Sequence, residues 1–403
     1  MKEKKDEHPT MKPRLRFPTF RESGEWREVS LAKFLKESRI EGSSGDIARK
    51  ITVKLWGNGV YAKEESIKGS ENTKYYKRRA GQFIYSKLDF LNQAFGIVPP
   101  ELEGYESTVD LPCFDVSKDI NTSFLLEWVK RDDFYKRNGE IADGGRKAKR
   151  IQSDVFLSFS IALPPHITEQ NKIADCLTSL DDLIAAENKK LNSIKAHKIG
   201  LMQQIFPQEG ETLPALRFPD FADSEVPAAK MIGEISKVTT GRKDTQNKVE
   251  NGQYPFFVRS QSVARIDTYS YDGEAILTSG DGVGVGENYH YVNGKFDFHQ
   301  RVYCIYDFNK CAHGKFLYYQ FSARFKKRVK TMSAKNSVDS VRMAMITEMP
   351  IWLPGIDEQK RIANFLSTID NVINAQALRI QSLNSHKVSL VQTLFPSTRE
   401  VDA

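Results

Sequence analysis

No stretch of this 403-residue chain approaches eighteen consecutive apolar residues, so nothing in it reads as a membrane-spanning helix. The opening MKEKKDEHPTMKPRL has no apolar core of the kind a secretory leader needs. Cysteine is scarce. The four residues, at 113, 176, 304 and 311, are too few and too scattered for a disulfide framework. Cys304, Cys311 and His313 are spaced C-x6-C-x-H, which fits no common zinc pattern. These absences point to the reducing cytoplasm, with no membrane partner and no bound metal. Charge of one sign is only mildly in excess: the net charge is +7 and the pI about 8.9, which permits a polyanionic partner without requiring one.

What the chain does have is a statement made twice. Ile161 to Pro207 reads IALPPHITEQNKIADCLTSLDDLIAAENKKLNSIKAHKIGLMQQIFP, and Ile351 to Pro396 reads IWLPGIDEQKRIANFLSTIDNVINAQALRIQSLNSHKVSLVQTLFP. From Glu169 and Glu358 onward the two run without a gap at an offset of 189. Upstream, PRLRFPTF from Pro13 is echoed by PALRFPDF from Pro214, at an offset of 201. The chain is a tandem duplication, and a molecule built as two similar halves suits a target that also comes in two parts.

Each copy opens on a proline-containing, strand-like pentamer. Thr168 or Asp357 then stands where an N-cap or first-turn residue belongs. A heptad seam follows: Ile173, Leu177, Leu180, Ile184, Leu191, Ile194, Leu201 and Ile205 in the first copy, and Ile362, Leu366, Ile369, Ile373, Ile380, Leu383, Leu390 and Leu394 in the second. It is interrupted by polar residues at the same two places in both, Glu187 and Lys198, then Gln376 and Lys387. Spacings of three and four sustained this long predict helices of about 58 Å. One apolar stripe cannot stay exposed over that length. The economical partner for each helix is the other, antiparallel if a pseudo-twofold axis relates the copies. The helices are nearly neutral, so the positive charge resides mainly in the segments between them.

Those segments, Phe20 to Ser160 and Phe221 to Pro350, share little sequence. Both read as mixed α and β. Strands are expected at 81–88, 93–99 and 107–116 and a helix at 123–131 in the first. In the second, strands are expected at 254–259, 274–280, 288–296 and 301–308, with a helix at 315–329. The stretch GDGVGVG (280–286) lacks the strand-to-helix context of a dinucleotide loop and reads as a turn. Basic clusters recur in both inserts. The first carries Lys74, Tyr75, Lys77, Arg78 and Arg79, then Arg146, Lys147, Lys149 and Arg150. The second carries Arg242, Lys243 and Arg259, then Lys327, Arg328 and Lys330. Lysine and arginine neutralise phosphates, and arginine forks onto a guanine edge. Most of Lys147, Lys149 and Arg150 are expected on phosphate, since lysine offers a point charge. Arg78 and Arg79 are open between the two roles.

The repeated EQ-x2-IA-x2-L pattern closing on Q-x-(apolar)-F-P resembles that of the specificity subunits of type I restriction-modification systems. GQFIYSKLDFLNQAFGIVP and YDGEAILTSGDGVGVG are similar to stretches of their target recognition domains. The resemblance runs from about Pro13 to Pro396. It implies an α+β chain in which two recognition domains are joined by two long antiparallel helices. On that scheme 1–160 holds the N-terminal segment and first recognition domain, 161–207 a central helical region, 208–350 the second recognition domain and 351–403 a distal helical region. It further implies that each domain reads half of a split duplex DNA site, and that the chain's N-terminal segment packs near the other half. It implies too that two adenine methyltransferase subunits dock on the helices and that restriction subunits join them. Apolar residues off the seam, Leu183, Phe206, Val372 and Phe395, are the candidates for docking. The chain has no N-P-P-[YF] or D-P-P-[YF] tetrapeptide, no clear glycine-rich loop for a methyl donor, no Walker loop and no nuclease carboxylate pair. It is therefore expected to be non-catalytic and to need no cofactor. A scaffold joining two proteins, or a stand-alone DNA-modifying enzyme, are the competing readings.

If the helices act as a ruler, they set the recognition domains over successive major grooves, roughly 34 Å apart. A short in-register insertion near Asn188 should then change the spacer between half-sites and leave both half-sites alone. A methylation map of DNA treated with the lengthened chain assembled with its methyltransferase subunits reads this directly, and an unchanged spacer refutes it.

Overall fold

The computed structural model describes residues 11–64, 69–140, 150–332 and 340–397. The chain forms two compact units, one of Met1–Ala186 with Ile380–Ala403 and one of Glu187–Arg379. Each long helix is therefore shared, beginning in one unit and ending in the other.

Unit 1 contains, in chain order, β1 (Arg27–Ser30), β2 (Leu35–Ser38), β3 (Ile40–Ser44), β4 (Ile51–Val53), β5 (Val60–Ala62), β6 (Lys74–Lys77), β7 (Phe83–Tyr85), β8 (Phe95–Ile97), β9 (Glu106–Ser107) and β10 (Cys113–Val116). Then come α1 (Thr122–Val129), α2 (Asp132–Gly139), α3 (Ser153–Ser158), β11 (Ser160–Leu163) and the first part of α4 (Ile167–Ile205). Unit 2 contains the rest of α4, β12 (Ala229–Met231), α5 (Ile232–Ile235), β13 (Lys237–Thr240), β14 (Tyr254–Phe257), β15 (Ala264–Ile266), β16 (Tyr271–Ser279), β17 (Tyr289–Phe298), β18 (Val302–Tyr306), α6 (Gly314–Met332), α7 (Met343–Thr347), β19 (Pro350–Trp352) and most of α8 (Ile356–Leu394).

The inserts share little sequence but have one plan. The main sheet of unit 1 runs β2-β10-β7-β8, and that of unit 2 runs β13-β18-β16-β17 before continuing to β14 and β15. In both, the strand preceding the helix (β10 or β18) is flanked on each side by antiparallel partners. Around this common sheet the units differ. Unit 1 adds a three-stranded sheet β3-β6-β9 and a hairpin β4-β5, whereas unit 2 extends its main sheet.

Both units are closed by the same frame. In unit 1 the strands entering and leaving the insert, β1 and β11, pair antiparallel; in unit 2, β12 and β19 do the same. The upstream echo and the helix start are joined by a buried two-pronged ion pair. Arg16 Nε and Nη2 donate to the Glu169 carboxylate at 2.7 Å each, and Arg217 binds Glu358 at 2.8 Å each. The next residue accounts for the repeated EQ in both copies. Gln170 Oε1 accepts the Asn121 backbone N–H at 3.0 Å, and Gln359 Oε1 accepts that of His313 at 2.9 Å. Each glutamine thus ties the first turn of a long helix to the N-terminus of the insert's own helix, α1 or α6. The N-terminal segment does reach the end of the second long helix: within unit 1, the Leu15 N–H donates to Thr393 O at 2.9 Å.

All sixteen apolar seam positions are buried or half-buried. Within each unit the segments run antiparallel: Asp181 meets Lys387 in unit 1, while Glu187 meets Gln376 and Asp370 meets Lys198 in unit 2. The polar interruptions are partners. Lys198–Asp370 (2.5 Å) and Lys387–Asp181 (2.7 Å) are the same contact made once in each unit, since both residues shift by 189. Glu187 and Gln376 occupy equivalent positions and bind each other, Gln376 Nε2 donating to Glu187 Oε2 at 2.6 Å. That self-meeting is what a local twofold between the two helix segments requires.

The bond from Gln376, with Arg379 Nε 2.9 Å from the same carboxylate, holds the Glu187 carboxyl below its ordinary range. Its stabilising contribution is therefore present above the unfolded pKa and lost on acidification. Gln376→Glu should place two carboxylates where one now accepts a bond. One of them is then raised above its unfolded pKa, so the penalty is full at neutral pH and shrinks as pH falls through that raised value. Thermal melts from pH 7 to pH 4 should show the variant several degrees below wild type at pH 7, with the gap narrowing on acidification. A gap independent of pH rules this account out.

Candidate nucleic-acid interface

In unit 1 the KYYK run forms β6, with Lys74 and Lys77 exposed and Tyr75 half-buried under the Lys50 ammonium, 5.4 Å from the ring centroid. Arg79 is exposed just beyond the strand. Arg78 is corrected from a DNA contact to a core residue. It is 2% exposed, its Nε donates to Ser107 Oγ at 2.8 Å and its Nη1 to Ser38 O at 2.8 Å. Its remaining donor lies within 3.5 Å of the carbonyls of Ser107, Thr108 and Leu111. The guanidinium ties the end of β6 to β9 and to the end of β2, and burial lowers its pKa. Arg150 is exposed; Arg146, Lys147 and Lys149 lie outside the described residues.

In unit 2 the basic residues of the insert fall in two places. At the end of α6, Lys330 is exposed and Lys327 pairs with Glu209 at 2.7 Å, both side chains in solvent. Arg328 is also corrected: it donates to Met345 O at 2.8 Å and Glu348 O at 2.9 Å, closing the end of α7 rather than facing solvent freely. The second place is formed by strand ends. Arg242 is exposed and Lys243 half-buried after β13, and Arg259 is exposed after β14. Gly241 is needed there because a Cβ would meet Phe298 O at 2.0 Å. The Gln300 N–H donates to Lys243 O at 2.8 Å, tying this strand end to the β17–β18 turn. In that turn His299 is buried, and its Nδ1 accepts the Arg301 backbone N–H at 2.9 Å. Burial, followed by the charge of Arg259, lowers the His299 pKa, so the ring is neutral at pH 7 and fit to accept that bond. Arg301 itself had no sequence signal beyond its charge.

Two of the four docking candidates are corrected. Phe206 and Phe395 are 2% and 1% exposed. Phe395 packs among Trp26, Phe124 and Trp128, and Phe206 packs on Phe316. The F-P that ends each copy locks the helix into its unit: Arg131 donates to Pro396 O at 2.8 Å, and Arg324 donates to Pro207 O. Leu183 and Val372 are exposed. A second matched pair escaped the sequence reading. Ile199 and Val388, 58% and 57% exposed, each follow a polar seam lysine. Trp56, 60% exposed with φ +60° between β4 and β5, also carried no signal. Among the described residues no group of three or more acidic, cysteine or histidine side chains could hold a metal, and no helix is long and apolar enough to cross a membrane.

A frame used twice, each time around a sheet domain with basic strand ends, defines a class of protein with paired recognition domains. The chain matches the type I restriction modification DNA specificity domain over residues 36–196 and again over 228–384, and it belongs to that family, the specificity subunits of type I restriction-modification systems. The matched domain is the DNA specificity domain of such systems. The chain is 30% identical to the type I restriction enzyme EcoDI specificity subunit of Escherichia coli over 152 residues, 38% of this chain but only about a third (33%) of that relative. It is 22% identical to the MjaVIII specificity subunit of Methanocaldococcus jannaschii, over 92% of each chain. The crystal structure of a type I restriction-modification S subunit from M. genitalium covers 96% of this chain and 100% of its own, with a TM-score of 0.60 at 13% identity, a likeness of fold.

The contrast between neighbouring arginines is testable. Arg78→Ala should cost about 3 kcal/mol or more of stability by stranding buried carbonyls. Arg79→Ala should stay within about 0.5 kcal/mol and weaken DNA binding. Denaturant melts and binding curves on both variants check this; equal stability would return Arg78 to the surface role.

Proposed function

We propose that this chain reads an asymmetric, bipartite site in duplex DNA, the recognition domain of unit 1 reading one half and that of unit 2 the other. It docks two adenine methyltransferase subunits, and restriction subunits join in the full complex. The carrying observation is one frame built twice around two domains whose common sheet is elaborated differently. Unit 1 adds β3-β6-β9 and β4-β5; unit 2 adds β14-β15. Identical frames suit two copies of one partner, and unlike elaborations suit two unlike half-sites. Exposed Lys74, Lys77, Arg79 and Arg150 in unit 1, and Arg242, Arg259, Lys327 and Lys330 in unit 2, supply the cations such a surface needs.

Exchanging residues 21–160 for the insert of a related protein should change one half-site and keep the other, because separate domains contribute nearly additively. Leu183→Ser with Val372→Ser should weaken methyltransferase binding at least tenfold by titration, with the isolated chain's melting point retained. Methylation mapping with the exchanged chain assembled with its methyltransferase subunits reads both half-sites at once. If both change or neither does, the two-reader function is wrong. Salt-independent binding, or none, would favour a protein scaffold. Methyl transfer by the isolated chain supplied with S-adenosylmethionine would favour an enzyme.

A further inference from the structure

The glycine-rich turn at 280–286 holds Asp281 between two arginines from other strand ends. Asp281 Oδ1 lies 2.9 Å from Arg259 Nη1, and its Oδ2 lies 3.3 Å from Arg301 Nη1. Asp281 is placed by the backbone. The Gly280 N–H donates to Arg301 O at 2.8 Å, where a Cβ on Gly280 would meet that oxygen at 2.8 Å, and Gly282 follows at φ +75°. The aspartate side chain is 19% exposed, while those of Arg259 and Arg301 are 46% and 63% exposed. Each guanidinium has five N–H donors, and Asp281 engages one Nη1 of each, so both keep donors facing outward.

We propose that Arg259 and Arg301, oriented by Asp281, read guanine edges in the half-site taken by unit 2. This rests on the DNA-reading function above and names the residues and bases for one half of it. An exposed Asp–Arg pair contributes little to stability, so a carboxylate holding two of them is poorly explained as a fold device. Phosphate is a poor ligand here, because it would come within reach of the Asp281 carboxylate, which repels it. A guanine edge has the right chemistry: its O6 and N7 accept two parallel N–H bonds from an arginine whose plane is already set. Lysine would keep the charge and lose the fork.

The full chain, with and without Arg301→Lys, Arg259→Lys or Asp281→Asn, is used to select bound duplexes from a randomised pool. Wild type should enrich a guanine in the half-site that survives exchange of residues 21–160. Each lysine variant should relax one position of that half-site by roughly 5- to 150-fold in discrimination and retain its salt dependence. Asp281→Asn should relax the same positions without weakening binding to scrambled duplex. Replacing the enriched guanine by 7-deazaguanine, which removes the N7 acceptor, should weaken wild type more than the matching lysine variant, which lacks the two-pronged contact. Unchanged selected sites in all three variants, or an equal affinity loss on every duplex with a salt slope lower by about one, overturns the proposal and makes these arginines idle or backbone contacts. A wild-type pool with no enriched site overturns the DNA-reading function itself. Melting curves separate loss of fold, and Arg301→Lys is the mildest variant against that outcome.

Discussion

A helix of 39 residues carrying one apolar stripe has to be covered along its whole length, and the rest of this structure follows from how that is done. Each long helix finds its cover in the other. In both units the helix segments are antiparallel, and the seam breaks twice per helix to admit polar residues. Those breaks specify register. Lys198 meets Asp370, Lys387 meets Asp181, and Glu187 meets its own equivalent Gln376. Sliding one helix by a heptad would bury a lysine against leucine or isoleucine and leave an aspartate unmatched.

From that pair the frame extends outward through two residues per copy. Glu169 and Glu358 bind the arginine of the upstream echo; Gln170 and Gln359 bind the start of the insert helix. A short motif thus connects three parts of the chain far apart in sequence, and the inserts are free to diverge so long as they return a strand to β11 or β19. The matching sheet orders in the two units show how much of the insert that requirement still governs.

The seam, the helix bounds, the strands β7, β8, β16, β17 and β18 and the helices α1 and α6 were legible because each rests on local periodicity. The short strands β3 to β6 were not; they are three to five residues long, and β3 and β6 are held by partners distant in sequence. At the site, local reading found cations but not their surroundings. Arg78 and Arg79 are adjacent and chemically identical, yet one lies among buried carbonyls and the other in solvent. Strand pairing decides which, and no property of the dipeptide reports it. Phe206 and Phe395 failed as docking residues for a related reason: the turn after the helix, fixed by Arg324 and Arg131, swings them inward. Arg301 and Asp281 acquire meaning only when the strand ends meet.

Unit 1 is assembled from both sides of unit 2 in the sequence. Its core includes Leu394 and Phe395, packed on Trp26, Phe124 and Trp128, whereas everything unit 2 contains lies between residues 187 and 379. As the ribosome makes the chain, the domain translated first is completed last. Its aromatic face stays open until residues 380–397 emerge, while unit 2 already has its full core. Folding from the N-terminus therefore cannot finish unit 1 until its last segment is made, because the rings of Trp26, Phe124 and Trp128 lack Phe395 before then.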